Sequence, residues 1–313
     1  MREELIISGR SNPYIDPHLD IWHWPIPLYL FLGGLAAGIL FFAALFYILG
    51  KEESLKSVVR KAPIVTPFLL VAGLGALFYD LNNKLYFWQL YTVIRFESPM
   101  SWGAWTLMVI TPASFIWAAL HIREIFPRWE WPWHWAKRAE LFFNSHKYVL
   151  AWIMVIFSLI LGVYTGILFS AFNARPLWNT SILGPLFLAS GLSAGAAVTV
   201  LISRDRSERI FMTRIDLIIL VVKLFLIVHF FMGFLASTQV HIDAARLFLG
   251  GPWTAPFWVF VVIVGIVVPA LLEILELRGR HVPAAIPAIL VLFGSLMFRF
   301  IFTFAGQESR WLY

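Results

Sequence analysis

Apolar runs of about 20 residues recur along the whole chain, and that length is what an α-helix needs to cross the hydrocarbon of a bilayer. Nothing else in the sequence restricts the fold as strongly. Hydrophobic residues make up 60% of the chain and charged residues 13%, which removes the soluble two-domain reading that 313 residues would otherwise allow. The runs between charge clusters predict eight spans, at 27–49, 63–85, 100–120, 148–170, 183–202, 215–237, 257–277 and 284–305. The expected fold is therefore all-α and polytopic, with eight transmembrane helices. An even number of crossings puts both termini on one side.

The connections after spans one, three, five and seven carry 15 Lys and Arg, against 7 on the other side, Lys84 at the end of span two included. By the positive-inside rule the termini then face the periplasm of a cell inner (cytoplasmic) membrane. The net charge of +6 becomes a signal of topology. With no motif behind it, a nucleic-acid partner is not expected, and membrane lipids are. Residues 1–24 contain Asp16 and Asp20 but no apolar core of the signal-peptide kind, so they read as an outward-facing segment and not a cleaved leader. The chain has no cysteine. It cannot ligate an iron–sulfur cluster through its own thiolates, nor attach a c-type haem, so any such centre belongs to another subunit.

Two stretches echo each other at a constant offset of 157 residues: Leu30-Phe31-Leu32-Gly33-Gly34-Leu35-Ala36-Ala37-Gly38 in span one and Phe187-Leu188-Ala189-Ser190-Gly191-Leu192-Ser193-Ala194-Gly195 in span five. Four spans separate the copies, which predicts a parallel repeat of two four-helix bundles, 25–172 and 173–306, with a short outward tail at 307–313. Gly34 with Gly38, and Gly191 with Gly195, are small-xxx-small pairs that let helix backbones approach closely, and packing is the simplest use for all four. Trp129, Trp131, Trp133 and Trp135 stand among Arg128, His134, Lys137 and Arg138. That mixture suits the headgroup zone and predicts an interfacial helix or anchor.

Polar residues inside the spans are expensive unless they handle protons, ions or a polar ligand. Asp80, Tyr164, His229 and Arg299 all fall in the outward part of the bilayer when residues are counted from the opposite helix ends. Each has a plainer use: Arg299 can snorkel or pair with a carboxylate, His229 can be a hydrogen-bonded core histidine, and Tyr164 an interface aromatic. Asp80 is hardest to explain so, and Gly73, Ala76 and Leu77 on its helix face point it into the bundle. Asp216, Lys223, Glu273 and Glu276 lie toward the other side. Asp216 and Lys223 share a face two turns apart and His229 lies on another, so the spacing does not predict a continuous proton wire along span six. His229 is the one deep histidine, with His121 and His146 at span ends, so bis-histidine haem is not expected. No metal site is expected either.

At these residues the chain resembles the NrfD-like family, membrane subunits of polysulfide-reductase-type respiratory oxidoreductases. The matching stretches are Trp22-His23-Trp24 before Tyr29-Leu30-Phe31-Leu32-Gly33-Gly34; Asp80-Leu81 followed by Phe87-Trp88; Ser98-Pro99-Met100-Ser101-Trp102-Gly103-Ala104-Trp105; Tyr164-Thr165-Gly166; Pro176-Leu177-Trp178-Asn179; Ser190-Gly191-Leu192-Ser193-Ala194-Gly195; and Arg299 with Ala305-Gly306-Gln307. The resemblance implies a haem-free subunit that binds a quinone, menaquinone or ubiquinone, near the outer face. It also implies an extrinsic iron–sulfur partner of the four-cluster ferredoxin type, joined to a catalytic molybdopterin or multihaem cytochrome subunit. Carried over residue by residue, the quinone site falls on Tyr29, Asp80 and Tyr164, with Trp22 and His23 at its mouth. The chain departs from the family pattern at Tyr29 and Ile26, and Asn82-Asn83-Lys84 replaces the commoner Gly-Arg-Pro, so the headgroup contacts differ.

Quinone chemistry moves two electrons and two protons, and the site needs hydrogen-bond partners plus one group in exchange with water. Asp80 is the expected proton-exchanging residue, with Tyr29, Tyr164 or His23 orienting the headgroup. His229 and Arg299 are candidates for a proton path in the second bundle. A secondary transporter, or a non-redox membrane anchor, would share the small-residue helices and the intramembrane charges; neither accounts for the motif series.

Overall fold

The computed structural model describes residues 22–93 and 95–311. Most of the expected N-terminal segment thus lies outside the described residues. The described residues are helical, without strands, and eight helices are long and apolar enough to cross a membrane. In sequence order the elements are α1 (Pro25–Ile48), α2 (Ser57–Asp80), the one-turn α3 (Gln89–Thr92), α4 (Pro99–Leu120), α5 (His134–Ser145), α6 (Lys147–Ser170), α7 (Leu183–Ile202), α8 (Arg206–Leu235), α9 (Gln239–Arg246), α10 (Pro256–Leu277) and α11 (Ala285–Glu308). The chain is a multi-pass membrane protein, as its apolar runs predict.

Two spans differ from the sequence expectation. The second ends at Asp80 and not at residue 85, because Leu81 turns to extended backbone ahead of Asn82-Asn83. Side chains that hydrogen-bond to nearby backbone compete with the helix there. The sixth begins at Arg206, nine residues before the expected 215, so Arg206, Glu208, Arg209 and Arg214 ride on the helix. In the predicted interfacial segment, helix α5 starts at His134 and takes in Trp135 alone of the four tryptophans. The other three precede it, Trp129 edge-on to Trp131 and Trp133 stacked on Trp135.

Helix ends follow local chemistry. After α1, Gly50 adopts φ 67°, Lys51 N–H reaches the Phe46 carbonyl and Gly50 N–H the Tyr47 carbonyl. After α10, Gly279 (φ 83°) repeats the same pair of bonds, from Arg280 to Leu275 and from Gly279 to Glu276. Both are glycine C-caps of the Schellman type, which satisfy carbonyls that lipid could not.

Helix α1 is the hub. It is apolar all round and mostly buried, and it packs against α2, α6, α7 and α11. Its contact with α7 is made backbone to backbone at the four glycines. A Cβ on Gly38 would strike the Gly191 carbonyl, one on Gly195 would strike Gly38, and one on Gly191 would come within 2.7 Å of the Gly34 carbonyl. Arg299 crosses the same junction, fully buried. Its Nε donates to the Leu30 carbonyl at 3.1 Å, Nη1 to Ser190 Oγ at 2.8 Å and the Ser295 carbonyl at 3.0 Å, and Nη2 to the Phe187 carbonyl at 3.3 Å. Neither snorkelling nor pairing with a carboxylate, the plainer uses the sequence suggested, describes it. Its donors are met by neutral oxygens from three helices.

At the opposite end of the first half, charges close the bundle. Glu52 accepts from Lys147 Nζ at 2.8 Å and Arg60 Nε at 3.1 Å, and Arg60 also reaches Glu124 at 3.2 Å. Burial raises the Glu52 carboxyl, but hydrogen bonds and charge from Lys147 and Arg60 outweigh it, and the net shift is downward. His121 Nδ1 lies 2.9 Å from the Trp117 carbonyl, so it carries the ring proton, while buried Nε2 has no hydrogen-bond partner. Burial first, then the Lys147 ammonium, push His121 down to about 4.

This packing has measurable consequences for stability. Gly195→Leu, which cannot be relieved because the obstruction is backbone, is expected to destabilise the detergent-solubilised protein by about 1–3 kcal/mol or more, read as a lowered melting temperature; an unchanged one would mean that α1 and α7 are not in contact. For His121, the unfolded imidazole (6.5) takes up a proton on acidification that the folded one, at about 4, refuses. Stability should therefore decline as pH drops from about 6.5 toward 4, by on the order of 2–3 kcal/mol, and His121→Asn should flatten that slope in a melting-temperature series across pH.

Candidate functional site

Three phenols approach one another in the first half, near the beginning of α1 and the end of α6. Tyr29 is on the first turns of α1, Tyr164 on α6 and Tyr91 on α3. They line a narrow slot of about 60 Å³, whose other walls include Trp22, Leu77, Met100 and Leu168. Tyr29 and Tyr164 are almost wholly buried. Tyr91 lies outside the spans, and burial pushes its hydroxyl's pKa up. It stays protonated at neutral pH and available as a donor.

The position of Tyr164 depends on the glycine in the 98–105 motif. A Cβ on Gly103 would collide with the Tyr164 ring, so only glycine lets the phenol lie against α4. From its outer side the same tyrosine lines a groove of about 560 Å³ between α4 and α6, formed with Phe96, Glu97, Trp102 and Ile160. A second groove of about 290 Å³, shared at Phe96, Trp102 and Ile160, continues from it. Tyr164 thus stands between a small, mainly apolar slot that carries three phenols and a longer apolar groove.

Asp80 is the last residue of α2, and its side chain is 11% exposed. It does not line the slot; Leu77, one turn earlier on the same helix, does. Asp80 Oδ1 instead lies 3.3 Å from His23 Nδ1, and the His23 side chain is 65% exposed. The pair is a carboxylate joined to water by an imidazole, a geometry suited to proton exchange at a cavity mouth.

His23 is held there by its neighbour. Trp22 stacks on Trp178 with ring centroids 5.1 Å apart and packs edge-on to Phe169 and Phe172. Gln307 clasps the Trp22 backbone at both ends, accepting from its N–H at 2.8 Å and donating to its carbonyl at 3.0 Å. Trp178 in turn donates to the Phe302 carbonyl at 2.9 Å, over a Gly306 that has no room for a Cβ. Motifs at 22–24, 176–179 and 305–307 therefore meet in one aromatic plug.

The remaining candidates stand apart from the slot. His229 is on the exposed face of α8, stacked on Phe225 at 6.0 Å and away from the buried polar residues of that helix. Arg299 is the inter-helix clamp described above. Tyr91 and Gly103 were not singled out as site residues from sequence: Tyr91 falls in a connection without periodicity, and Gly103 acts through a residue 61 positions away. Among the described residues, no group of three His, Cys, Asp or Glu is arranged to hold a metal ion.

The family model described as "Polysulphide reductase, NrfD" matches residues 14–309. Among curated proteins, the sequence is 33% identical to Protein NrfD of Escherichia coli over 304 residues, covering 92% of this protein and 95% of that one. It is 30% identical to the C chain of the polysulfide reductase of Wolinella succinogenes over 302 residues, covering 92% and 94%. Protein NrfD homolog of Haemophilus influenzae is also 30% identical, over 315 residues, covering 94% and 97%.

Proposed function

The chain belongs to the NrfD polysulphide reductase family, and from that premise we propose that it is the quinone-binding membrane subunit of a respiratory oxidoreductase complex. The observation that carries this reading is the phenol-lined slot that shares Tyr164 with a long apolar groove, next to residues that lead, through Trp22 and Leu77, to the His23–Asp80 pair. The chemistry of the donors fits a quinone: three phenols to hold carbonyl oxygens, apolar walls for the ring, and a long groove for the tail. At about 60 Å³ the slot must widen to admit a headgroup. Its one-turn wall α3, largely exposed, is the part with least packing to resist.

When bound, a quinone supplies two-electron, two-proton redox chemistry. Tyr29, Tyr91 and Tyr164 donate hydrogen bonds and fix orientation. Asp80 accepts or delivers a proton, and His23 passes it to or from water. With no cysteine in this subunit, electrons enter or leave through an iron–sulfur partner seated on the outer face, in turn joined to a catalytic molybdopterin or multihaem subunit. On this reading the two halves, 25–172 and 173–306, form a parallel repeat in the inner membrane, both termini outward, and the site belongs to the first half. His229 and Arg299 are not needed for this step.

Asp80→Asn in the assembled complex is expected to leave subunit composition unchanged and to lower quinone-linked turnover about a hundredfold or more; full turnover would remove Asp80 from the mechanism. Gly103→Ala, by displacing Tyr164, should weaken binding of a quinone-headgroup inhibitor, measured by quenching of tryptophan fluorescence. Equal binding in that variant would mean that Tyr164 does not hold the ligand.

A further inference from the structure

The second half buries ionisable groups that the slot does not use. Asp216 and Lys223 on α8, Glu273 on α10 and Arg299 on α11 are all 4% exposed or less. Ser193 Oγ, from α7, donates to Asp216 Oδ1 at 2.6 Å. Helices α8 and α10 pack against each other, the carboxyls of Asp216 and Glu273 interact electrostatically across them, and Glu276 follows Glu273 by three residues along α10. Lys223 lies in the field of Asp216 on one side and of Arg299 on the other. Three polar atoms here have no hydrogen-bond partner: Lys223 Nζ, 6.0 Å from the centre of the Phe298 ring, Glu273 Oε2 and Glu276 Oε2. A buried unsatisfied donor and buried unsatisfied acceptors in one cluster call for an explanation.

Charge balance supplies it. Two carboxyl groups facing each other out of water repel when both are ionised, and a proton on either relieves that repulsion. With both acids ionised, the Lys223 ammonium and the Arg299 guanidinium cancel them. Moving one proton from Lys223 to the acid pair leaves the sum at zero again. The cluster thus has two proton arrangements of equal net charge, which avoids the cost of an uncompensated ion in lipid. Arg299, locked by four donated bonds, stays charged in both. The other groups facing the cluster from α7, Ser190 and Ser193, do not titrate. Toward the termini, Phe230, Phe248, Phe257 and Phe302 pack ring against ring and close that direction. Toward the other end Glu276 continues the row, three residues beyond Glu273 and one short of the end of α10.

We infer that Asp216, Glu273 and Lys223 form a proton-holding site in the second half, exchanging through Glu276 with the aqueous phase at the end opposite the termini. The inference rests on contacts and charge alone, and stands whether or not the first half takes a quinone.

Infrared spectroscopy of the purified full-length protein in lipid tests it. At neutral pH a protonated-carboxyl band is expected that moves on transfer to D2O and is lost in both Asp216→Asn and Glu273→Gln. In Lys223→Met, which removes the alternative seat for the proton, the band should persist to higher pH than in the unaltered protein. Ser193→Ala keeps every charge and should shift the band without abolishing it, which separates loss of the site from misfolding. Glu276→Gln should slow deuterium uptake by the band several-fold. Absence of the band in the unaltered protein, or its survival in both carboxyl variants, would overturn the site; unchanged deuterium uptake in Glu276→Gln would overturn the route.

Discussion

The close crossing of α1 and α7 is the constraint on which the other features depend. Between helices in lipid there is no apolar burial to gain, because the tails are as apolar as leucine, so association relies on van der Waals contact and on hydrogen bonds shielded from water. Gly34, Gly38, Gly191 and Gly195 provide the first by bringing backbone onto backbone. Arg299 provides the second, and it fits only because Gly34 has no side chain: a Cβ there would lie 2.7 Å from Nη2. A guanidinium buried among neutral carbonyls is costly alone, yet each of its bonds here ties together helices that otherwise have little reason to stay adjacent. With α1 held against α7 and α11, its outward end carries Tyr29 into the slot.

The face that carries the start of α1 and the end of α11 is assembled from remote parts of the sequence. Trp22 precedes α1, Trp178 lies between α6 and α7, and Gln307 is near the end of α11, yet they make one plug. Its consequence for chemistry is indirect. By fixing the backbone at residue 22, it holds His23 next to Asp80, although neither Trp178 nor Gln307 touches that pair. A mutation in the plug would thus act on the His23–Asp80 pair through position and not through charge.

Polarity is distributed differently in the two halves. In the first, ionisable groups stand at the two ends: the Asp80–His23 pair at one, and the Glu52–Lys147–Arg60 network at the other. Between them lie phenols, glycines and apolar side chains. In the second, the charges are inside, with Asp216, Lys223, Glu273 and Arg299 buried. Similar helices thus carry a phenol-lined slot in one half and a charge cluster in the other.

Much of this was legible in the residues alone. The eight long apolar helices and the glycine ridges follow from run length, spacing and the rise of a helix, which are properties of one segment at a time. The end of α2 did not, since hydropathy continues past Asp80 while Asn82 and Asn83 break the backbone. Nor did the partners of the polar groups: Asp216 and Lys223 look isolated along α8, and only α10 brings Glu273 to them; Arg299, a candidate for a carboxylate partner, meets carbonyls instead. Tyr91 and Gly103 entered the site by the same route. A sequence determines which residues must leave water, because transfer from water is a property of each side chain and its neighbours along the helix. What each buried group then meets is decided by which helix faces touch, and that choice belongs to the packed structure as a whole.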